Sequence, residues 1–215
     1  MLDFSFYGFY GWDDMPFLDY TMSAEGVNVT GEYKRMAMLG IDAAIPIKET
    51  VLRMEAAFFP KRHFQKSSGI IIEEKMLSAG KGSSSSAETS LERNELFALA
   101  GLDWMREGWT FTAQYYCDYV LGELENLERE KALQQGATLS VSKKLLSDTL
   151  ELSFSGVLGL NDFDSFIKPA VTYSLSDQIN LSGGAYIFIP GPDRDGQYGS
   201  YKDLSTGYVR CKFSF

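Results

Sequence analysis

A chain of 215 residues with 45% hydrophobic composition is long enough for one domain with a substantial core or for one barrel wall, and too apolar to be disordered over most of its length. A formal net charge of -9 and a pI near 4.7, with no basic stripe to offset them, exclude a nucleic-acid binder that works by neutralising phosphates. No apolar run reaches the ~18 to 20 residues of a membrane-spanning helix, which leaves a soluble protein or a membrane β-barrel, whose signal per strand is far weaker.

In chain order, Leu2 to Tyr10 alternates Leu2, Phe4, Phe6, Gly8 and Tyr10 against Asp3, Ser5, Tyr7 and Phe9, which predicts a first strand. GWDDMP and the polar residues up to about Gly31 have no sustained period and are expected to form a loop. A second strand from Tyr33 sets Ala37, Leu39, Ile41 and Ala43 against Met36, Met38, Gly40 and Asp42, and Ile45 to Glu49, with Pro46, reads as a short turn. Val51 to Phe59 is a third strand. Residues 60–92, including the GKGSSSS run, are expected to be one long loop, with at most a short strand at Ile70 to Ile72.

Arg93 to Met105 and Trp109 to Tyr119 follow as a hairpin around a tight turn at 106 to 108. The charged stretch Glu123 to Lys131 is expected to be a loop. Gly136 to Lys144 and the strand through Leu150, Leu152, Phe154 and Leu158 flank a turn at 145 to 148. Asn161 to Asp164 is a tight connection, and Phe166 to Leu175 and Ile179 to Ile189 form a hairpin around Ser176 to Gln178. A Pro/Gly/Asp-rich stretch, Pro190 to Asp203, leads to the closing segment GYVRCKFSF. That makes about ten strands, most near the ~9 to 11 residues that cross a bilayer at a tilt. Short turns are predicted at 46–49, 106–108, 145–148 and 176–178. Of the five connections on the other side, those at 11–31, 60–92, 120–131 and 190–203 are long and the one at 161–164 is short. A soluble meander has no reason to sort its loops in this way.

In the closing segment Gly207, Val209, Cys211, Phe213 and Phe215 share one face and Tyr208, Arg210, Lys212 and Ser214 the other. An apolar strand face that ends on Phe resembles the C-terminal targeting strand of bacterial outer-membrane barrels. The resemblance implies that Val209, Cys211, Phe213 and Phe215 form the signal read by the barrel-insertion machinery. The series YKRMAMLGIDAA, VLRMEAAFFPKRHFQ, LAGLDWMREGWTFTAQYY, ATLSVSKKLLSDTLELSFSGVLGLND and GQYGSYKDLSTGYVRCKFSF resembles the C-terminal part of a family of largely uncharacterised, porin-like outer-membrane proteins of Gram-negative bacteria.

The expected fold is therefore all-β: one transmembrane antiparallel up-and-down β-barrel domain over residues 1–215, with about ten strands that either close or form the C-terminal part of a larger barrel. Residues 60–92 are then a long external loop. The acidic start of the chain, with Lys34 as its first basic residue, has no cationic n-region and apolar h-region, so the chain is expected to be a piece of a longer product whose signal peptide lies upstream.

In the barrel reading the non-lipid phase carries Asp42, Arg53, Glu55, Asp103, Glu151, Lys168, Arg210 and Lys212, with Asp3, Asp118 and Lys144 beside them. Charges facing hydrocarbon would cost about 2 to 4 kcal/mol each for Arg or Lys at the midplane, so this phase must face water or other charges. It reads either as a packed ion-pair network or as the lining of a polar lumen that conducts a small solute. Trp104, Trp109 and Tyr173, with Phe213 near the same rim, are the expected interfacial girdle. The lone histidine, His63, has no second ligand at metal spacing and reads as a solvated loop residue. Asp13/Asp14 and Asp193/Asp195 fit turn chemistry or weak calcium binding, and Cys117 and Cys211 fit small apolar residues on strand faces. No catalytic set can be assembled, so the expectation is a non-enzyme without cofactor or metal. Its partners would be outer-membrane lipid, the insertion machinery and a small solute, with no nucleic acid. A non-conducting structural or surface-binding barrel is the alternative.

Overall fold

The computed structural model describes residues 2–23, 26–80, 88–193 and 196–214. Phe215, Asp195 and most of the GKGSSSS run lie outside them. The strands are β1 (Asp3–Trp12), β2 (Phe17–Ser23), β3 (Gly26–Glu32), β4 (Arg35–Ile47), β5 (Thr50–Gln65), β6 (Ser90–Arg106), β7 (Trp109–Leu121), β8 (Leu133–Leu145), β9 (Leu150–Gly159), β10 (Ser165–Ser176), β11 (Ile179–Ile189) and β12 (Thr206–Phe213). A helix, α1 (Ser68–Gly80), follows β5, and a 3-10 turn, η1 (Gly199–Leu204), precedes β12. Ten strands form one antiparallel up-and-down sheet, ordered β1-β4-β5-β6-β7-β8-β9-β10-β11-β12, and β2 and β3 pair separately.

The two-residue alternation of the sequence becomes a division of the sheet into two faces, because residues opposite each other in the register share a face. Leu39 pairs with Phe58, Ala56 with Ala98, Ala100 with Tyr115, Ala113 with Leu139, Val141 with Phe154, Leu152 with Val171, and Leu181 with Cys211. These and their i±2 neighbours form one apolar face across all ten strands. The other face carries Asp42 opposite Glu55, Asp103 opposite Thr112, Ser140 opposite Ser155, and Ser182 opposite Arg210.

One end of the sheet is closed by short turns: Lys48 and Glu49, Glu107 and Gly108, residues 146–149, and Asp177 and Gln178. Glu107 (φ 51°) and Gly108 (φ 78°) both take left-handed backbone, as a two-residue hairpin turn that matches strand twist requires. Pro46 differs from expectation. It stays in β4, paired with Val51, and the turn falls one residue beyond Ile47.

The other end carries the long connections, and these are more ordered than a loop reading allows. The segment expected as the 11–31 loop contains the β2–β3 hairpin, whose Val27 and Val29 alternate with Asn28 and Thr30. Ile70 to Ile72 belong to α1 rather than to a short strand. The three β-branched residues favour a strand, but the EEKML that follows favours a helix, and complete burial of Ile71 decides between them. Strands β5 and β6 run past their neighbours to reach this cap. The Gln65 carboxamide accepts from Leu18 N at 2.7 Å and donates to Leu18 O at 2.9 Å, which ties the hairpin to β5 as a strand neighbour would. Lys75 of α1 reaches Asp19 at 2.5 Å, Lys66 holds Glu74 through both carboxylate oxygens, and Ser67 N and Glu128 N bond Asn126 O and Gln65 O.

The buried apolar residues among those described are Phe17, Ala57, Ile71, Val120 and Leu127, and all except Ala57 lie at the long-loop end. The sheet itself has no covered core. A globular monomer of 24.1 kDa is expected to expose about 10,000 Å²; this chain exposes 14135 Å². The sheet is also open: among the described residues β1 and β12 are its two edges and do not pair with each other, so ten-stranded closure, one of the two arrangements expected from the sequence, is not observed.

Candidate functional site: the polar face of the sheet

The polar face divides into three zones across the sheet. On β1, β4, β5 and β6 it is mainly acidic, with Asp3, Asp42, Glu55 and Asp103. Asp42 stands opposite Glu55 and accepts from Ser5 Oγ at 3.3 Å. Arg53 is the cation in this zone, its Nε 2.6 Å from Asp103 Oδ2, and Asp103 also accepts from Thr112 Oγ1 at 2.8 Å. The middle zone, on β7 to β9, is mostly neutral. Thr110, Thr112, Gln114, Thr138, Ser140, Ser142, Ser153 and Ser155 line it, with Lys144 opposite Glu151 near the short-turn end.

The third zone, on β10 to β12, is basic and aromatic. Lys168 lies 5.4 Å from the centroid of Tyr186 and Arg210 lies 5.8 Å from that of Tyr208. Phe166 stacks with Tyr186 at 6.1 Å and Tyr186 with Tyr208 at 5.1 Å. Lys212 stands opposite Asn180 on the same face. All eight residues expected along the lumen, Asp42, Arg53, Glu55, Asp103, Glu151, Lys168, Arg210 and Lys212, thus share this face, with Lys168, Arg210 and Lys212 gathered at one side of the sheet, three of the acids at the other, Arg53 among those acids and Glu151 in between. The rings were not anticipated, although Phe166, Tyr186 and Tyr208 fall in the polar phase of three consecutive strands.

At the long-loop end the face closes over a charge cluster that sequence reading missed. Glu95, 4% exposed, accepts from Arg62 Nη1 at 2.5 Å and faces Arg129 at 3.7 Å. Arg129 also pairs with Asp118, and Arg62 with Asp13 at 3.5 Å. These partners come from three strands, β5, β6 and β7, and from two connections, those holding Asp13 and Arg129, all far apart in sequence, so no local spacing could reveal them. The expected loop histidine is a strand residue: His63 lies in β5, half-buried, with Nδ1 3.0 Å from Ser90 Oγ and its ring edge-on to Phe17.

Beyond β9, the buried Asp164 accepts from the backbone N–H groups of Tyr198 and Gly199 and so draws the segment before η1 onto the sheet end. Burial, the Tyr116 hydroxyl and the Asp164 charge together push the Tyr198 phenol above its ordinary value of 10.0.

On the opposite face, Trp104 and Trp109 flank the Glu107–Gly108 turn, Lys143 Nζ lies 5.0 Å from the Trp109 ring, and Tyr173 and Phe213 sit toward the same end. Val209, Cys211 and Phe213 also lie there, Val209 and Phe213 being 82% and 65% exposed, and both cysteines are free. At the other end Arg35 covers the Trp12 ring at 4.0 Å. No family model matches this chain, and no curated protein matches it.

Proposed function

We propose that this chain forms the wall of an outer-membrane, porin-like channel for passive or selective diffusion of small solutes, with the apolar face toward lipid and the polar face toward a lumen. The observation that carries this reading is the sorting of exposed hydrophobics. Phe4, Phe6, Leu39, Ile41, Met54, Leu96, Leu102, Leu139, Leu152, Phe154, Val171 and Leu181 are all more than about a third exposed and all lie on one face. Among the exposed large hydrophobics of the ten strands, only Tyr7, Phe9 and Met105 lie on the other. Water does not stabilise such a surface, whereas hydrocarbon does.

The height of the apolar band supports the same reading. Trp109 and Tyr119 lie ten positions apart on β7. At ~3.4 Å per residue and a tilt of ~40°, that separation spans about 26 Å, close to the apolar band of a membrane barrel. Trp104, Trp109 and Tyr173 would then sit at one interface and Trp12 and Tyr119 at the other. The family resemblance of the strand series and of the closing GYVRCKFSF points to the same compartment, with the insertion machinery as the partner that reads Val209, Cys211, Phe213 and Phe215.

Reconstitution in a planar bilayer tests the function. Steady conductance is expected, with ion preference moving toward cations in Arg53→Ala, which leaves Asp103 without its guanidinium, and in Lys168→Ala. A folded, inserted protein without conductance above background would leave the structural or surface-binding barrel instead.

A further inference from the structure

Between the long-loop ends of β7 to β9 and the segment before η1 lies a cavity of about 570 Å³, lined among others by Tyr116, Gln134, Asn161, Asp162, Gln197 and Tyr198. Three carboxylates border it, and each is already engaged. Asp118 is held by Arg129, Asp162 by Lys131, and Asp164 by two backbone N–H groups. A cation would have to displace those partners, and an anion would meet the carboxylates, so a charged ligand gains little for the water it loses.

The remaining polar groups are neutral. The side chains of Gln134 and Gln197 make no hydrogen bond among the described residues, and Tyr116 and Tyr198 both line the cavity. Carboxamides and phenols both donate and accept, which matches hydroxyl groups that do the same. A hydrocarbon ligand would leave the carboxamides desolvated and unpaired.

The cavity also offers aromatic surface. The end of the Tyr116 ring lies over Gly136, where an added Cβ would come within 2.5 Å of Cζ. Tyr198 stacks on Phe166 at 6.4 Å and 27°, and Phe166 leads through Tyr186 to Tyr208, so the cavity opens onto a file of rings along the polar face. The negative face of an aromatic ring attracts the weakly positive C–H groups on the face of a sugar ring. Ligand cavities of about 300–1,000 Å³ are typical, and this volume has room for one or two sugar rings.

We propose that this cavity binds a neutral polyhydroxylated solute of mono- to disaccharide size. That the solute then passes along the ring file rests on the channel reading; the binding does not. Isothermal titration of the whole chain, folded in an amine-oxide detergent whose headgroup is not a sugar, tests it with glucose, maltose and sucrose as probes and citrate as the charged comparison. Saturable binding of at least one sugar is expected, with no binding of citrate. Gln134→Leu and Tyr116→Leu should each weaken it at least about tenfold. Gly136→Ala, which pushes the Tyr116 ring aside while keeping its chemistry, should weaken it too. Each variant is compared with the parent in its heat-dependent gel mobility, so that misfolding is not mistaken for a lost contact. Absence of binding by all three sugars in the folded parent, binding of citrate in their place, or sugar affinity unchanged in well-folded Gln134→Leu and Tyr116→Leu would overturn the proposal. Sugar binding without conductance would remove the channel and leave the site standing. Conductance without sugar binding would do the reverse.

Discussion

Glu95 is buried at 4% exposure between Arg62 and Arg129, and its position depends on one backbone irregularity. The register of β5 on β6 shifts between Phe59 and Arg62, with Lys61 in left-handed backbone at φ 48°. Without that bulge Arg62 would turn to the apolar face, as strand residues do when the register slips by one. Removing the acid leaves two neighbouring guanidiniums with one carboxylate each, Asp13 at 3.5 Å from Arg62 and Asp118 beside Arg129. Glu95→Ala is therefore expected to destabilise the fold, by less than the ~3–5 kcal/mol that breaking a buried ion pair costs when the other charge is left without a partner. Urea unfolding in lipid vesicles measures it, with Glu92→Ala as the exposed comparison. Equal stability in the two variants would mean that the cluster contributes nothing to the fold.

Each strand presents two chemically distinct rows, and the same substitution should have opposite consequences on neighbouring residues. Leu139 and Ser140 of β8 are adjacent in sequence and lie on opposite faces, Leu139 opposite Ala113 and Ser140 opposite Thr112. With the apolar face in hydrocarbon, Leu139→Arg is expected to cost about 2–4 kcal/mol, while Ser140→Arg, facing water, costs little. Unfolding titrations of both variants in vesicles check this. Equal costs would argue against a lipid-facing surface. The connecting elements follow a different logic: α1 and the β2–β3 hairpin are held through specific contacts, Lys75 to Asp19 and Gln65 to Leu18, and form the part of the molecule that has a conventional buried core.

For the molecule as a whole, insertion in a bilayer requires a partner for each of the two sheet edges, since unpaired backbone groups in hydrocarbon cost several kcal/mol each. β1 and β12 run antiparallel to each other in the strand order, and their polar faces are complementary near the short-turn end, Asp3 on one and Arg210 and Lys212 on the other. Pairing of β1 with β12 is the expected outcome, within one chain or between two copies. Cys211 faces the apolar side of β12, so Leu2→Cys, Phe4→Cys and Phe6→Cys, each in a Cys117→Ser background, scan the register by oxidation. A fast-migrating monomer would mean ten strands closed on themselves with an interior filled by side chains, and a dimer would mean about twenty strands and an aqueous lumen. No cross-link at any of the three positions would show that other strands cover these edges.

The ten strands of the main sheet, the division of their residues between two faces and the sorting of short turns from long connections are legible in the amino-acid order, whereas the β2–β3 hairpin, in a stretch without a sustained period, is not. They follow from a two-residue period and from local turn chemistry, which operate within a few residues. Alternation alone thus assigns Leu139 and Ser140, or Ala113 and Gln114, to their faces. Contacts between distant segments are not legible in this way. Ile70 to Ile72 have the composition of a strand and the EEKML after them that of a helix, and the burial of Ile71 against the cap decides between the two; His63 has the setting of a loop residue, and only the full length of β5 includes it in the sheet. The Glu95 cluster and the Tyr116–Tyr198 cavity draw on segments tens of residues apart, and their partners are chosen by which strand ends and loops meet at the same end of the sheet. Closure cannot be read from the pattern either. Alternation specifies which way each side chain points and is the same for an open sheet and a barrel, whereas pairing of the edges depends on the curvature of the whole sheet and on the surroundings of its outermost strands.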